Sequence, residues 1–222
     1  MPFTVIHAGY PGDNTRAMLK RLDKDVLIHK PTTVIIQCGT NDSVNPRAFV
    51  PIDEFSSNLT QIISRIKNEA KAEILLIAPP PCISSEVIIR YKFPEEYKNT
   101  DLNIKLKEYV DLIKGIAEKN KIPFINLFTL FSGKKRISLT EDSLIRNKLN
   151  SGIEDGAHPT EEGYLLIGKT LYNNLITESF DCTRLVCFGD SLTFGYPYAG
   201  MGTLEGNNFP AVVYRLLNGE SE

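Results

Sequence analysis

Excess charge, paired cysteines, clustered histidines and long apolar runs are all missing from this chain. Its 25 Lys and Arg against 27 Asp and Glu leave a net charge of −2, so no overall field draws it to nucleic acid or to an anionic membrane. Basic stretches such as Lys134-Lys135-Arg136 are short and read as solvated loop. Cys38, Cys82, Cys182 and Cys187 show neither C-x-x-C spacing nor a zinc-like cluster with histidine. Cys38 and Cys187 fall inside apolar runs, where a thiol packs as a small hydrophobe. His7, His29 and His158 are scattered, which gives no metal ligand set, and no cofactor is expected. No apolar run approaches about 18 residues, and no basic-then-apolar leader opens the chain. There is no internal repeat and no low-complexity tract. These absences lead us to expect a reduced, cytoplasmic protein without a membrane span or a nucleic-acid partner.

What is present alternates. Short apolar runs at 3–8, 33–38, 73–78, 123–127 and 184–188 read as buried strands. Helical spacing fills the gaps at 15–27, 52–70, 101–119, 160–176 and 209–217, with Thr160 as an N-cap and Glu161-Glu162 in the first turn behind it. Such alternation implies a parallel sheet covered on both faces. At 222 residues the chain fits a single domain, 1–222. Residues 79–100, with prolines at 79–81, form the one long irregular piece, following a strand's carboxyl end.

Three segments carry chemistry. Leu185-Val186-Cys187-Phe188 runs into Gly189-Asp190-Ser191-Leu192, which places a hydroxyl at the carboxyl end of a strand, where open α/β sheets keep their ligand crevice. Alone, such a serine is more often a turn residue. Its companions reverse that. Asp155 and His158 stand three apart in a polar loop before a helix. At that spacing the carboxylate reaches the imidazole Nδ1 and leaves Nε2 for a serine; the plainer reading is that the pair merely shapes the helix entry. His7 on the first strand and His29 near a helix end need only a polar surface role. Asn41, in Gly39-Thr40-Asn41-Asp42, suits a local turn or, as a donor, a developing oxyanion. Gly12, in Pro11-Gly12-Asp13-Asn14-Thr15, is a tight turn before a helix and would point its amide outward. A nucleophile, a base, an orienting carboxylate and amide donors are the parts of an acyl-transfer site.

These blocks resemble the GDSL, or SGNH, hydrolases, a family of esterases and lipases. Ser191 matches its serine block, Gly12 its glycine block, Asn41 its asparagine block, and Asp155 with His158 its D-x-x-H block. The resemblance spans essentially the whole chain. It implies a flavodoxin-like three-layer α/β/α fold with a five-stranded parallel sheet, and cofactor-free hydrolysis of small-molecule esters. Ser191, His158 and Asp155 would be the catalytic triad, and Gly12, Asn41 and the Ser191 amide the oxyanion hole. Short-chain carboxylic esters are the first choice of substrate; lysophospholipid or thioester cleavage and carbohydrate O-deacetylation stay open.

One departure from the family is large. Its serine block usually comes first, and here it comes last. Moving 184–222 in front of Pro2 restores the usual order, so the resemblance implies a circular permutation joined through about 177–183. It then predicts a sheet of order 1-5-2-3-4, with Phe3 and Gly219 close together. An exchange of the C-terminal segment between two chains would give a homo-oligomer with Ser191 in a neighbour's site. Other readings are weaker. Gly200–Gly206 misses G-x-G-x-x-G by one residue and lacks the Gly-Lys-Ser/Thr of a P-loop. A flavin-binding or non-catalytic flavodoxin-like module would leave the Ser, His and Asp unexplained.

Overall fold

The computed structural model describes residues 3–133 and 137–220. The Lys134-Lys135-Arg136 cluster lies outside them. Runs of Val, Ile and Leu too short for helices form the strands, and the longer amphipathic stretches between them form helices. In chain order the elements are β1 (Thr4–Gly9), α1 (Thr15–Asp25), β2 (Thr33–Gln37), α2 (Thr40–Val44), α3 (Ile52–Arg65), β3 (Glu73–Ala78), α4 (Ser84–Tyr91) and α5 (Leu102–Asn120). They continue with β4 (Phe124–Asn126), α6 (Leu127–Gly133), α7 (Lys148–Ser151), α8 (Glu161–Thr177), β5 (Arg184–Gly189), α9 (Ser191–Phe194) and α10 (Phe209–Leu217).

All five strands are parallel, in the order β1-β5-β2-β3-β4. This is the order expected from the sequence. The last strand in the chain lies between the first two, Val186 opposite Ile6 on one side and Val34 on the other. Side chains alternate across the sheet. Val34, Ile36, Leu76 and Phe188 pack with Met18, Phe55 and Tyr109 from α1, α3 and α5. Ile35, Leu75 and Cys187 pack with Phe131, Ile167 and Val213 from α6, α8 and α10. The result is the expected three-layer α/β/α arrangement, and both faces of the sheet are dry. Side chains at the N-caps hold the helices: Asn14 accepts from the Ala17 amide at 3.1 Å, Thr160 from Gly163 at 3.2 Å and Asn208 from Ala211 at 2.8 Å, each a contribution of about 1 kcal/mol.

Four expectations need correction. Residues 79–100 are not one irregular piece, because α4 lies within them, its buried Val87 and Ile88 packing on Leu102 and Leu106 of α5. The strand expected over 123–127 is only three residues long, since Leu127 turns inward as the start of α6. The helix expected over 52–70 leaves α-geometry at Arg65, continues as a π-turn through Ala70 and ends at Lys71, whose φ is +56°. His7 is only partly exposed: its ring meets the edge of Phe194 at 5.9 Å and its Nε2 is buried. Burial pushes its pKa down.

The two ends of the described chain touch. The Phe3 amide donates to Asn218 Oδ1 at 3.2 Å. Among the described residues no helix is long and apolar enough to cross a membrane.

Candidate active site

β5 ends against its own turn. A Cβ on Gly189 would sit 2.2 Å from Thr193 Oγ1 and 2.7 Å from the Gln37 carbonyl, so only glycine lets the chain turn sharply here. Asp190 then caps α9, accepting from the Leu192 amide at 2.8 Å, and Ser191 becomes the first residue of that helix. The Ser191 hydroxyl faces His158 of the same chain, with Nε2 3.0 Å from Oγ. On the other side of the ring, His158 Nδ1 lies 2.8 Å from Asp155 Oδ1 and 3.1 Å from Oδ2.

The loop carrying Asp155 and His158 is pinned from two directions. The Arg146 amide donates to the His158 carbonyl and the Gly156 amide to the Arg146 carbonyl, both at 2.8 Å. From α4, Glu86 Oε2 accepts the Asp155 amide at 3.0 Å. Buried Asp155 keeps its charge because five groups meet it. Oδ1 accepts from the amides of Ala157 and His158 at 3.1 and 3.0 Å as well as from the imidazole. Oδ2 takes Arg90 Nη1 at 2.7 Å and Arg146 Nη1 at 3.4 Å. Burial alone would raise the pKa of this carboxyl; the His158 contact, with Arg90 behind it, outweighs burial and holds it well below the usual carboxylate range. Tyr196 stacks obliquely on the His158 ring at 4.9 Å, and the Arg90 guanidinium lies 5.7 Å from the Tyr196 ring centre.

On either side of β5, the segments that follow β1 and β2 carry Gly12 and Asn41. Gly12 has φ +83° and no atom near the place of a Cβ, so the backbone conformation alone calls for glycine. Among the described residues no acceptor meets the N–H of Gly12 or of Ser191. Asn41, in the first turn of α2, donates from Nδ2 to the Asp13 carbonyl at 2.9 Å and accepts at Oδ1 from Asn45 Nδ2 at 2.8 Å. Its Nδ2 also lies 3.4 Å from Asp190 Oδ2. The Gly12 loop and Asn41 are thus one hydrogen-bonded unit. Beneath it, burial pushes the Asp190 carboxyl up to about 7 and that of Asp42 up to about 6, the latter despite hydrogen bonds from Thr15. A cavity of about 550 Å³ opens beside Asn45, between Phe49 on one wall and Phe93, Tyr97 and Ile104 on the other.

A family model described as the GDSL-like lipase/acylhydrolase family matches residues 1–166. The chain belongs to this family. Ser191 lies beyond the matched span. Among curated GDSL-type relatives, the isoamyl acetate-hydrolyzing esterase 1 homolog of Rattus norvegicus is 30% identical over 140 residues, which cover 57% of this chain and 54% of that protein. The Mus musculus counterpart is 28% identical over 173 residues, 72% of this chain and 63% of that one. The chain therefore spans between 54% and 63% of the length of these relatives. A solved lipase/acylhydrolase from Enterococcus faecalis is 28% identical with a TM-score of 0.56, covering 76% of this chain and 73% of its own.

The structure brings Ser191, His158 and Asp155 together, and gathers Gly12 and Asn41 through Asp13. Sequence reasoning missed Arg90, Arg146 and Glu86, which meet the Asp155 carboxylate or its amide. Arg90 and Glu86 reach it from α4, far off in the chain, and Arg146 stands nine residues before Asp155 at a spacing that marks no motif.

Proposed function

We propose that this chain is a serine hydrolase that cleaves small carboxylic esters, short acyl chains first among them, without a cofactor. The observation that carries the reading is the single imidazole meeting Ser191 Oγ at 3.0 Å through Nε2 and Asp155 at 2.8 Å through Nδ1. Asp155 keeps the proton on Nδ1, so Nε2 is free to take the Ser191 proton as Oγ attacks the ester carbonyl. The charge that develops on the carbonyl oxygen is met by the N–H groups of Gly12 and Ser191 and by Asn41 Nδ2. His158 then protonates the leaving alcohol, and water repeats the sequence on the acyl-serine. Membership of the GDSL-like family and esterase-named relatives support this reading.

The same reading treats residues 1–222 as one domain in which 184–222 stand for the family's usual N-terminal segment. Two facts support it: the family match stops at 166, and β5 lies between β1 and β2. A panel of acyl chain lengths, acetylated sugars, thioesters and lysophospholipids would resolve the substrate. The deciding experiment is Ser191→Ala. It should retain the fold and lose nearly all turnover of aryl esters, while an organophosphonate labels Ser191 alone in the parent chain. A fully active Ser191→Ala protein, or label elsewhere, sinks the proposal.

A further inference from the structure

Arg21 stands midway along α1 with its side chain largely buried, away from Ser191's immediate partners, yet three of its hydrogen bonds converge on the segments that carry the site. Its Nε donates to Asp13 Oδ2 at 2.5 Å, beside Gly12. Its Nη1 donates to the Ala8 carbonyl at 2.9 Å, near the end of β1, and to Asp25 at 3.1 Å. Its Nη2 donates to the Gly189 carbonyl at 2.7 Å, two residues before Ser191. The guanidinium carbon lies 4.6 Å from the centre of the Phe188 ring, which fixes the orientation of the fork as well as its position.

We infer that Arg21 is a positioning residue for the oxyanion donors: it ties the Gly12 loop to the serine-bearing strand and, through the Asp13 carbonyl, sets where the Asn41 amide points. The inference rests on the serine hydrolase reading above. The loop of residues 10–14 has few other anchors. The Tyr10 amide reaches the Gly189 carbonyl at 3.0 Å, and Asn14 Nδ2 donates to the Ala48 carbonyl at 2.7 Å. Within the loop the Asp13 amide donates to the Tyr10 carbonyl at 3.3 Å, but only Arg21 ties the Asp13 side chain to another part of the chain, and Asp13 is the residue that receives Asn41 Nδ2. A lysine carries the same charge but has no planar fork to reach a carboxylate and two carbonyls that lie in different directions. Oxyanion donors act at the transition state, and a displacement of about 1 Å in such a group costs up to about 10²-fold in rate. An arginine that holds them in register should therefore act on kcat and leave KM nearly alone.

The test is a double-mutant cycle between Arg21→Gln and Asn41→Ala, with rates normalised to the sites titrated by an organophosphonate. Arg21→Gln should lower kcat by about 10- to 100-fold with KM within about twofold, and Arg21→Lys should fall between it and the parent. In the Asn41→Ala background the same Arg21→Gln change should cost only a few-fold, because the donor it positions is already gone. A kcat for Arg21→Gln within about threefold of the parent, or two losses that simply multiply, overturns the inference. Should the arginine variants not fold, Asp13→Asn reads the same link, since it removes the ion pair and retains the carbonyl that takes Asn41. It should lower kcat at constant KM, and an unchanged kcat overturns the inference. Ser191→Ala separates the two failures. If that variant is active, the hydrolase reading falls and this one with it; if it is inert beside an unimpaired Arg21→Gln, only the role of Arg21 falls.

Discussion

Ser191 is flanked by two aspartates, each held by arginine, and they serve the site in opposite ways. Asp155 faces His158 with its carboxylate, and Arg90 and Arg146 grip the far oxygen of the same group. Asp13 turns its carboxylate away towards Arg21 and offers the site its backbone carbonyl, which takes Asn41 Nδ2. Their electrostatics differ accordingly. Burial raises the Asp13 carboxyl and Arg21 only partly offsets it, whereas the imidazole, with Arg90 behind it, overcomes the burial of Asp155 and holds its carboxyl well below the usual carboxylate range. In the proposed reaction the charge at Asp155 orients the His158 ring, and in the inference above the charge at Asp13 holds a loop in place.

The contrast predicts an order of effects. Asp155→Asn should be the largest, because the amide no longer selects the imidazole tautomer and leaves two arginines facing a neutral group; kcat should fall by about 10³–10⁴-fold. Steady-state kinetics on an aryl ester would measure it, and a loss below tenfold would show that Asp155 only shapes the loop. Asn41→Ala comes next, with kcat down by about 10²–10³-fold and a smaller change in KM. If only KM rises, Asn41 binds substrate and does not meet the oxyanion.

The smallest effect belongs to Asp190, which lies under both flanks. Its pKa in the folded chain, about 7, stands above the unfolded value of about 3.9. A carboxyl raised in this way contributes stability that is fully present below about pH 4 and is lost as pH rises through about 7. Asp42, raised to about 6, acts with the same sign. Asp190→Asn retains the cap on α9 and removes the ionisation. Relative to the parent it should lose fewer degrees of Tm between pH 5 and pH 8, by a few degrees, since about 1 kcal/mol moves Tm by about 2–4 °C at this size. Thermal scans at the two pH values check this, and parallel slopes would remove Asp190 from the account.

The strands were legible because each buried run is short, apolar and closed by glycine, proline or a polar turn; β2 and β3 differ from expectation by a residue at most. The sheet order was legible only through the resemblance, since no strand states its neighbours. α4 was not legible: three prolines precede it and Phe93-Pro94 follow, so the Val87, Ile88 and Tyr91 spacing between them is only one turn of evidence. α6 was hidden because Leu127 extends an apolar run that reads equally as strand. In the site, Asp155 with His158 had a local spacing, and Ser191, Gly12 and Asn41 each sat at a turn after a strand. Arg21, Arg90 and Arg146 had nothing of the kind. Arg21 and Arg90 meet their partners through the docking of helices and Arg146 through the fold of its loop, and none of these leaves a periodic trace.

The place of β5 also bears on how the chain reaches its native state. Among the described residues β1 pairs with β5 alone, so during synthesis it has no ladder partner until residues 184–189 emerge. β2, β3 and β4 can assemble meanwhile, with an open edge at β2 where β5 will insert. Closing that gap joins segments about as far apart as the sequence allows, the kind of non-local contact that slows folding and leaves strand edges exposed. The strand that ends at Ser191 is thus the keystone of the sheet, and the Ser191–His158 contact would form only after the rest of the sheet is in place.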